Sequence, residues 1–233
     1  MQGQAVDYVK SAMGNGSDGV WTGTTFQAPA DTSPGLLFPP SLHGSFERFS
    51  IMPSLAPAVS RLETMMIYTD GACASNGLAS PRGGFAFVFN TTPGGTVSLA
   101  LEQRGPDHEL HVHTSNRAEL RAVIAALAFR AWGGERWKRV VVVTDSEYVG
   151  KGATTWMRTW AGNGWRTSAG QPVANRDLWE ALSARLGDLA RQGCEVSFWM
   201  VPRHWNTLAD AAAKAGTEME SPEYFTAVYG AMI

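Results

Sequence analysis

MMIYTDGACASNG, which runs from Met65 to Gly77, is the stretch that decides how this chain folds. Its apolar first half has the composition of a buried strand, yet the strand ends on Asp70 and passes into small, turn-forming residues. A carboxylate at a buried strand end is costly unless a positive group lies there or the chain needs a cap. A second apolar run, VVVVT, also ends on an aspartate, Asp145. Because ligands of α/β sheets collect at strand ends, both aspartates are candidate site residues if their strands are neighbours.

The order of elements after Met65 predicts an α/β fold. Further strands are predicted at GGFAFVFN, TVSLALEQ, RVVVVTD and CEVSFWMV. Apolar residues at helical spacing predict helices at SNRAELRAVIAALAFRAW, SEYVGKGATTWMRTW, NRDLWEALSARLGDLARQG and NTLADAAAKAG. Asn116 and Glu119 are spaced as a capping box for the first of these helices. The order predicts a five-stranded mixed sheet flanked by helices, antiparallel at first and parallel later.

Composition limits the class of protein. The 233 residues are 44% hydrophobic and 17% charged, which is typical of a globular chain. The net charge of -2 argues against nucleic-acid binding by bulk charge alone, although a local basic patch remains compatible with it. Cys73 and Cys194 lie far apart without metal-ligand spacing, which favours an intracellular setting, cytoplasmic or nuclear. No secretory signal or apolar span of membrane length is visible, so we expect neither secretion nor a membrane partner.

The composition also divides the chain into three regions. Residues 1–64 are rich in Gly, Ser, Thr and Pro without a sustained period, which predicts a low-complexity, partly disordered arm. Within this arm, FERFSIM is a candidate for packing on the domain that follows. Residues 65–216 form that domain, and residues 217–233 form a C-terminal tail. We expect a monomer whose arm is available to a protein partner.

Two further acids join the strand-end aspartates as candidates, because Glu119 and Asp210 lie in the first turns of predicted helices. Each acid also has an ordinary structural explanation. Asp70 and Asp145 suit turns, where Asp accepts backbone N–H bonds. Glu119 suits the capping box with Asn116, and Asp210 complements a helix dipole. A cluster of four carboxylates, however, would repel strongly unless divalent cations neutralised it, and an all-oxygen ligand set suits Mg²⁺ or Mn²⁺.

Five motifs in this chain resemble type 1 ribonuclease H. They are YTDGACASNG, TSNRAEL, VTDSEYV, NGWRTSAGQPVANRDLW and WNTLADAAAKAG, and they occur in family order over about Met65 to Gly216. The resemblance implies the ribonuclease H-like fold and a catalytic domain that cleaves the RNA strand of an RNA–DNA hybrid, leaving 5′-phosphate and 3′-hydroxyl ends. It implies two-metal-ion catalysis with two Mg²⁺ ions, or Mn²⁺, bound by Asp70, Glu119, Asp145 and Asp210. Asp70 would then end its strand because it bridges two cations.

The resemblance also implies contacts that distinguish RNA from DNA. Asn76 and Asn116 stand at family positions that reach 2′-hydroxyl groups and base edges in the minor groove, where an amide can donate and accept. The alternative for Asn76, within SNG, is an ordinary turn residue. Ser115 occupies a position where the family often has Asn, so one contact is expected to be weaker.

A basic and aromatic segment is a candidate channel for the DNA strand. Residues 130–176 hold eight basic and three acidic residues, a local charge of +5 in a chain of -2. Basic residues for phosphates with aromatic residues for sugars or bases are typical of such channels. The resemblance favours DNA contact for Trp156 and Trp160, against the alternative of core packing, whereas we assign Trp165 to the core.

Family members also hold a DNA phosphate in a small pocket. The positions matching that pocket here are Thr114, Ser168 and Asn175. The Arg expected two residues before Thr114 is replaced by Val112, which stands between His111 and His113. The pocket is therefore expected to be weaker, unless one of the two histidines substitutes for the Arg.

His204 is a candidate for proton transfer near the cation site. In many relatives a His in the loop before the last Asp has this role, or assists product release. Here the loop is short, because five residues separate His204 from Asp210. A solvent-facing loop residue is the equal alternative, and Arg203 is a second candidate for an electrostatic contribution.

Two other functions remain open from the sequence. One is a related two-metal nuclease, or a domain descended from a retroelement polymerase, although NGWRTSAG favours the cellular hybrid-cleaving type. The other is a catalytically silent nucleic-acid-binding or regulatory protein. Such a protein would be expected to have lost at least one of the four carboxylates, and all four positions are filled here.

Overall fold

The computed structural model of the chain describes residues 19–43, 45–52, 54 and 63–230. In chain order the strands are β1 (Thr24–Thr25), β2 (Pro40–His43), β3 (Phe46–Ser50), β4 (Thr64–Ala74), β5 (Arg82–Val88), β6 (Thr96–Ala100), β7 (Arg139–Thr144) and β8 (Glu195–Met200). The α-helices are α1 (Pro34–Leu37), α2 (Ser115–Ala128), α3 (Glu147–Lys151), α4 (Met157–Gly162), α5 (Arg176–Arg191) and α6 (Thr207–Gly216). A π-helical stretch, Gly152–Trp156, joins α3 to α4.

The centre of the sheet confirms the predicted fold class. β6, β5 and β4 form an antiparallel meander, and β4, β7 and β8 pair in parallel. The long strand β4 joins the two halves, because its first half pairs with β7 and its second half with β5. This is the order that the sequence predicts, antiparallel first and parallel later.

The five predicted strands are all present, but the predicted total is too low, because the described residues already form a sheet of eight strands. β1 pairs in parallel with the outer edge of β8, and β3, which forms a hairpin with β2, pairs with the first half of β4. These three strands are two to five residues long and lie in the segment whose composition predicts an arm. Their pairing is tertiary, so the local sequence has no alternation that would indicate it. FERFSIM does pack on the domain, since Phe49 and Ile51 are buried.

Residues within 26–51 cover one face of the sheet. Phe26, Leu37 and Phe38 are buried there, and the Phe26 ring lies 5.4 Å from that of Trp199 on β8. Residues 1–18 and 55–62 lie outside the described ranges, so the domain boundary at residue 64 stays a prediction. Burial of these side chains shows that residues 19–52 stabilise the sheet from its second side.

Both faces of the central sheet are apolar. Met65 and Ile67 of β4 belong to the core formed with α2 and α5. Met66 and Tyr68, which alternate with them, belong to the second core, where α6 and the N-terminal segment pack. This double burial explains why MMIY is a continuous apolar run. Within the described ranges, no helix is both long and apolar enough to cross a membrane.

The start of α2 differs from the prediction. Thr114 is the N-cap, and its Oγ1 accepts a hydrogen bond from the Arg117 backbone N–H at 3.2 Å. The predicted capping box of Asn116 and Glu119 is therefore wrong, because Asn116 already lies inside the first turn and the Glu119 carboxylate contacts Ser146 instead. Threonine is a favourable N-cap residue, so Thr114 begins the helix two residues before Asn116.

Candidate active site

The two aspartates that were predicted at strand ends lie side by side. The prediction that the strand ends at Asp70 is wrong, because β4 continues to Ala74 by pairing with β5. The pairing of β4 with β7 ends with Tyr68 opposite Val143, and each aspartate follows its strand's last paired residue by two positions. Asp70 and Asp145 are therefore level across the pair. Asp70 is buried, with 6% of its surface exposed, and its Oδ1 accepts a hydrogen bond from the Gly71 N–H at 2.8 Å.

Glu119 reaches the same place because α2 begins directly against β4. A Cβ on Gly71 would lie 2.1 Å from the Glu119 backbone nitrogen, so only glycine permits this approach. The Glu119 carboxylate accepts a hydrogen bond from Ser146 Oγ at 2.5 Å. Ser146 directly follows Asp145, and this contact therefore links the second and third carboxylate segments.

Asp210 lies on the first turn of α6, and two positively charged side chains bind its carboxylate. Arg203 Nη2 donates to its Oδ1 and Lys214 Nζ to its Oδ2, each at 2.6 Å. The Lys214 hydrogen bond, followed by that of Arg203, lowers the Asp210 pKa although partial burial acts in the opposite direction. Helix α6 packs so closely on β5 that a Cβ on Gly84 would lie 2.4 Å from the Thr217 backbone nitrogen at the helix end.

The pKa shifts indicate that the four carboxylates form one electrostatic group. Burial, followed by repulsion from Asp145 and smaller effects of Glu119 and Asp210, raises the pKa of Asp70 to about 7. Burial also raises the pKa of Glu119 to about 7, with repulsion from Asp145 adding to it and the Ser146 hydrogen bond opposing it. Two neighbouring carboxyls that resist ionisation at neutral pH are typical of a site prepared for a cation.

The donor set fits a hard divalent cation. All four side chains offer oxygen, the ligand that Mg²⁺ and Mn²⁺ prefer, and a bound cation would relieve the repulsion between them. A different group in the described part of the chain has ligand atoms within 4.8 Å of one another: Asp107, His111 and Asp177. Arg117 pairs with both oxygens of Asp177, at 2.6 and 3.0 Å, so we assign that group to an ion-pair network.

The two asparagines predicted to read the hybrid are exposed. Asn76 lies in the turn that follows β4, and Asn116 lies in the first turn of α2, one turn before Glu119. Their amides are therefore open to solvent on the elements that carry Asp70 and Glu119. The contact of these amides with nucleic acid stays a prediction.

The residues predicted to hold a DNA phosphate fall in three different settings. Thr114 caps α2, Ser168 is exposed in a turn, and Asn175 adopts a left-handed conformation with φ 56° at the start of α5. Asn175 Nδ2 donates to the Tyr148 hydroxyl at 3.2 Å, and its Oδ1 accepts from Arg117 at 3.5 Å. Arg117 therefore joins the elements that carry Thr114 and Asn175, a link between distant residues that the sequence did not indicate.

The histidines beside Val112 differ in availability. His113 is buried, its Nδ1 accepts from the Gly83 N–H at 2.9 Å, and its Nε2 lies 3.1 Å from the Glu102 carbonyl. Burial lowers the His113 pKa, so this residue does not substitute for the missing Arg. His111 Nε2 lies 3.0 Å from Asp107 and 3.6 Å from Asp177, which places it in the ion-pair network.

The two tryptophans predicted to contact DNA belong to a partly buried cluster of aromatic rings. The rings of Trp156 and Trp160 lie 5.7 Å apart, and Trp160 lies 5.5 Å from the buried ring of Trp179. Both of the predicted DNA contacts therefore retain exposed edges while their other edges pack inward. Trp165 is buried, as predicted.

His204 lies on a short 3₁₀ turn, Arg203–Trp205, directly before α6. Its ring is exposed and lies 5.6 Å from the Trp205 ring. Arg203, rather than His204, contacts Asp210. Residues that the sequence reasoning missed include Gly71, Ser146 and Lys214, although each is adjacent to a predicted acid or one helical turn away from it.

The family model and the curated relatives that match this chain give one family. The family model for RNase H matches residues 62–218. A Ribonuclease H from Treponema pallidum subsp. pallidum is 46% identical over 127 residues, which are 52% of this chain and 71% of that protein. A Ribonuclease H from Ruegeria sp. (strain TM1040) is 39% identical over 156 residues, 65% of this chain and 90% of that protein. A solved structure of the foamy viral protease–reverse transcriptase with RNA/DNA hybrid is 24% identical with a TM-score of 0.49, and the match covers 65% of this chain and 20% of that one.

Proposed function

The chain belongs to the ribonuclease H family, and on that premise we propose that it hydrolyses the RNA strand of RNA–DNA hybrids with divalent cations at the four-carboxylate group. The proposal is supported by the register that sets Asp70 level with Asp145 and by the hydrogen bond that joins Glu119 to Ser146. It is supported further by the electrostatic effect of Glu119, Asp145 and Asp210 on the pKa of Asp70. A ribonuclease H fold alone serves many functions, but the complete acidic set supports an active hydrolase.

The chain's own residues prepare this site by fixing each carboxylate. The Gly71 N–H holds Asp70, and the Ser146 hydroxyl holds Glu119. Arg203 and Lys214 hold Asp210, and both side chains are exposed, so they are free to turn away when a cation is bound. Two Mg²⁺ ions, or Mn²⁺, would supply the charge that activates a water and stabilises the departing oxygen. The water oxygen would form a bond to phosphorus as the P–O3′ bond breaks, and the departing O3′ would take up a proton, which would leave 5′-phosphate and 3′-hydroxyl ends.

We propose that two separate sets of residues select the substrate, one contacting the RNA strand and the other contacting the DNA strand. Asn76 and Asn116 would contact 2′-hydroxyl groups of the RNA strand, since both amides are exposed on or next to the elements that carry Asp70 and Glu119. The DNA strand would contact Trp156 and Trp160, and its phosphate would lie at Thr114, Ser168 and Asn175. We further propose that residues 65–216 form the catalytic domain of a monomer, in an intracellular compartment, and that the N-terminal arm binds a protein partner.

Cation binding gives a direct test of the site. Mg²⁺ and Mn²⁺ affinities would be measured by calorimetry for the unmodified protein, for Asp145→Asn, and for Asp107→Asn, which alters an exposed carboxylate outside the group. We expect Asp145→Asn to lose the cation and cleavage of a labelled hybrid together. Asp107→Asn should retain both. Equal losses in the two variants would contradict the proposed site.

A further inference from the structure

The loop between β8 and α6 contains a buried amide that touches the carboxylate group. Asn206 is fully buried, with 0% of its surface exposed. Its Nδ2 donates to Asp145 Oδ1 at 2.7 Å and to the Thr69 carbonyl at 3.0 Å. Its backbone carbonyl accepts from the Asp210 N–H at 3.0 Å. One residue therefore contacts Asp145, the peptide that precedes Asp70, and the backbone of Asp210.

Resting on the proposed function, we propose that Asn206 is a positioning residue that holds Asp145 in the orientation needed to bind a divalent cation. The hydrogen bond to Oδ1 fixes the carboxylate and leaves Oδ2 for the cation. The second hydrogen bond fixes the amide itself against β4. Both N–H groups of the Asn206 side chain are thereby used, one for each of the two parallel strands.

The neutrality of this donor matters for the site. Asp210 is held by Arg203 and Lys214, which place positive charge beside its oxygens. Asn206 instead orients Asp145 without adding positive charge. The negative charge of Asp145 therefore remains available to attract a cation, while its orientation is set in advance.

The other end of the Asn206 amide argues against a purely structural role. Among the residues that the structure describes, its buried Oδ1 has no hydrogen-bond partner. A buried acceptor without a partner lowers stability, and such groups in native proteins call for an explanation. The hydrogen bond from Asn206 Nδ2 to Asp145 explains why an amide is present here although its oxygen has no partner.

Two substitutions and one control test the proposal. Asn206→Ala removes the amide, and Asn206→Ser does so while keeping a residue that is favourable at a helix start. Asn90→Ala is the matched control, because Asn90 is also buried and its Oδ1 accepts two hydrogen bonds from Thr92, in the loop between β5 and β6. The readouts are Mn²⁺ and Mg²⁺ affinity by calorimetry, kcat and KM on an RNA–DNA hybrid, and Tm in EDTA.

We expect both Asn206 variants to bind cations about 10-fold or more weakly, the effect of losing a hydrogen bond to a charged group. Their kcat should fall while KM for the hybrid stays within about two-fold, because the substrate contacts are elsewhere. Asn90→Ala should lower Tm and leave cation affinity unchanged. If Asn206→Ala does not fold, Asn206→Ser decides the outcome.

Unchanged cation affinity in a folded Asn206 variant would overturn the proposal, as would an affinity loss no larger than that of Asn90→Ala. Failure of the proposed function is separate and visible in the unmodified protein, which would then neither bind the cations nor cleave the hybrid. A protein that does both, with Asn206 variants that do both equally well, would refute only the role of Asn206.

Discussion

Asp70→Asn tests the electrostatics of the carboxylate group through protein stability. In the cation-free protein the Asp70 pKa is raised from 3.8 to about 7, mainly by burial and then by repulsion from Asp145. A carboxyl whose folded pKa lies above its unfolded pKa favours folding in its protonated form. Its contribution is complete below about pH 4 and is lost as the pH rises through about 7.

The size of this effect follows from the shift. At about 1.4 kcal/mol per pKa unit, ionising Asp70 in the folded protein costs about 4 kcal/mol at pH 8. Asparagine has nearly the same shape, never ionises, and can still accept the hydrogen bond from Gly71. We therefore expect cation-free Asp70→Asn to be more stable than the unmodified protein by up to about 4 kcal/mol at pH 8, and by much less at pH 5.

Urea unfolding in EDTA, followed by tryptophan fluorescence at pH 5 and pH 8, measures this difference. Asp107→Asn is the control. Burial acts to raise the Asp107 pKa, but hydrogen bonds from His111 and Glu109 and the positive charges of His111 and Arg117 outweigh it and lower the pKa, so removing this carboxylate should bring no gain at pH 8. Saturating Mg²⁺ should stabilise the unmodified protein and thereby reduce the difference in free energy of unfolding between it and Asp70→Asn. A variant that is no more stable at pH 8, or whose gain is equal at both pH values, would refute the reasoning.

Four further perturbations have defined outcomes. His204→Ala should change kcat by less than about three-fold, whereas Arg203→Met should lower it about 10-fold in steady-state cleavage assays, because Arg203 contacts Asp210 directly. Gly71→Ala should abolish cleavage and lower Tm in thermal melts, because its Cβ would lie 2.1 Å from the backbone of α2. Deleting residues 1–52 should lower the urea midpoint and increase binding of a hydrophobic dye, because it uncovers the second face of the sheet.

Each of these has a contradicting result. A larger loss for His204→Ala than for Arg203→Met would assign the main role to the histidine. Full activity of Gly71→Ala would mean that α2 and β4 separate at little cost. An unchanged urea midpoint after deletion would mean that residues 1–52 contribute little to the fold.

The sequence predicted the centre of the fold because its signals there are local. The apolar runs of β4 and β7 and the helical spacing of α2 and α5 are visible in single segments. β1, β2 and β3 were not predicted, since they are stabilised by pairing with β8 and β4 rather than by their own composition. The same holds for the start of α2, where Thr114 prevailed over Asn116 as the cap.

The candidate site divides in the same way. The four carboxylates were predictable from the short motifs around them. Asp145 directly follows β7, and Asp210 lies in the first turn of α6. Asp70 instead lies inside β4, and Glu119 lies beyond the first turn of α2. Two of the groups that hold them come from distant parts of the chain, as Asn206 lies 61 residues from Asp145 and Ser146 lies 27 from Glu119. No local pattern indicates such contacts, which exist only once the sheet and helices have packed.

The most direct test of the central claim is cleavage of labelled nucleic acids with Mg²⁺ or Mn²⁺. The substrates would be an RNA–DNA hybrid, double-stranded RNA, double-stranded DNA and single-stranded RNA, each with the unmodified protein and with Asp70→Asn. We expect cleavage of the RNA strand of the hybrid alone, with 5′-phosphate products, abolished by EDTA and by the substitution. A folded protein that cleaves nothing in either metal, or cleaves the hybrid equally well after Asp70→Asn, would contradict the account.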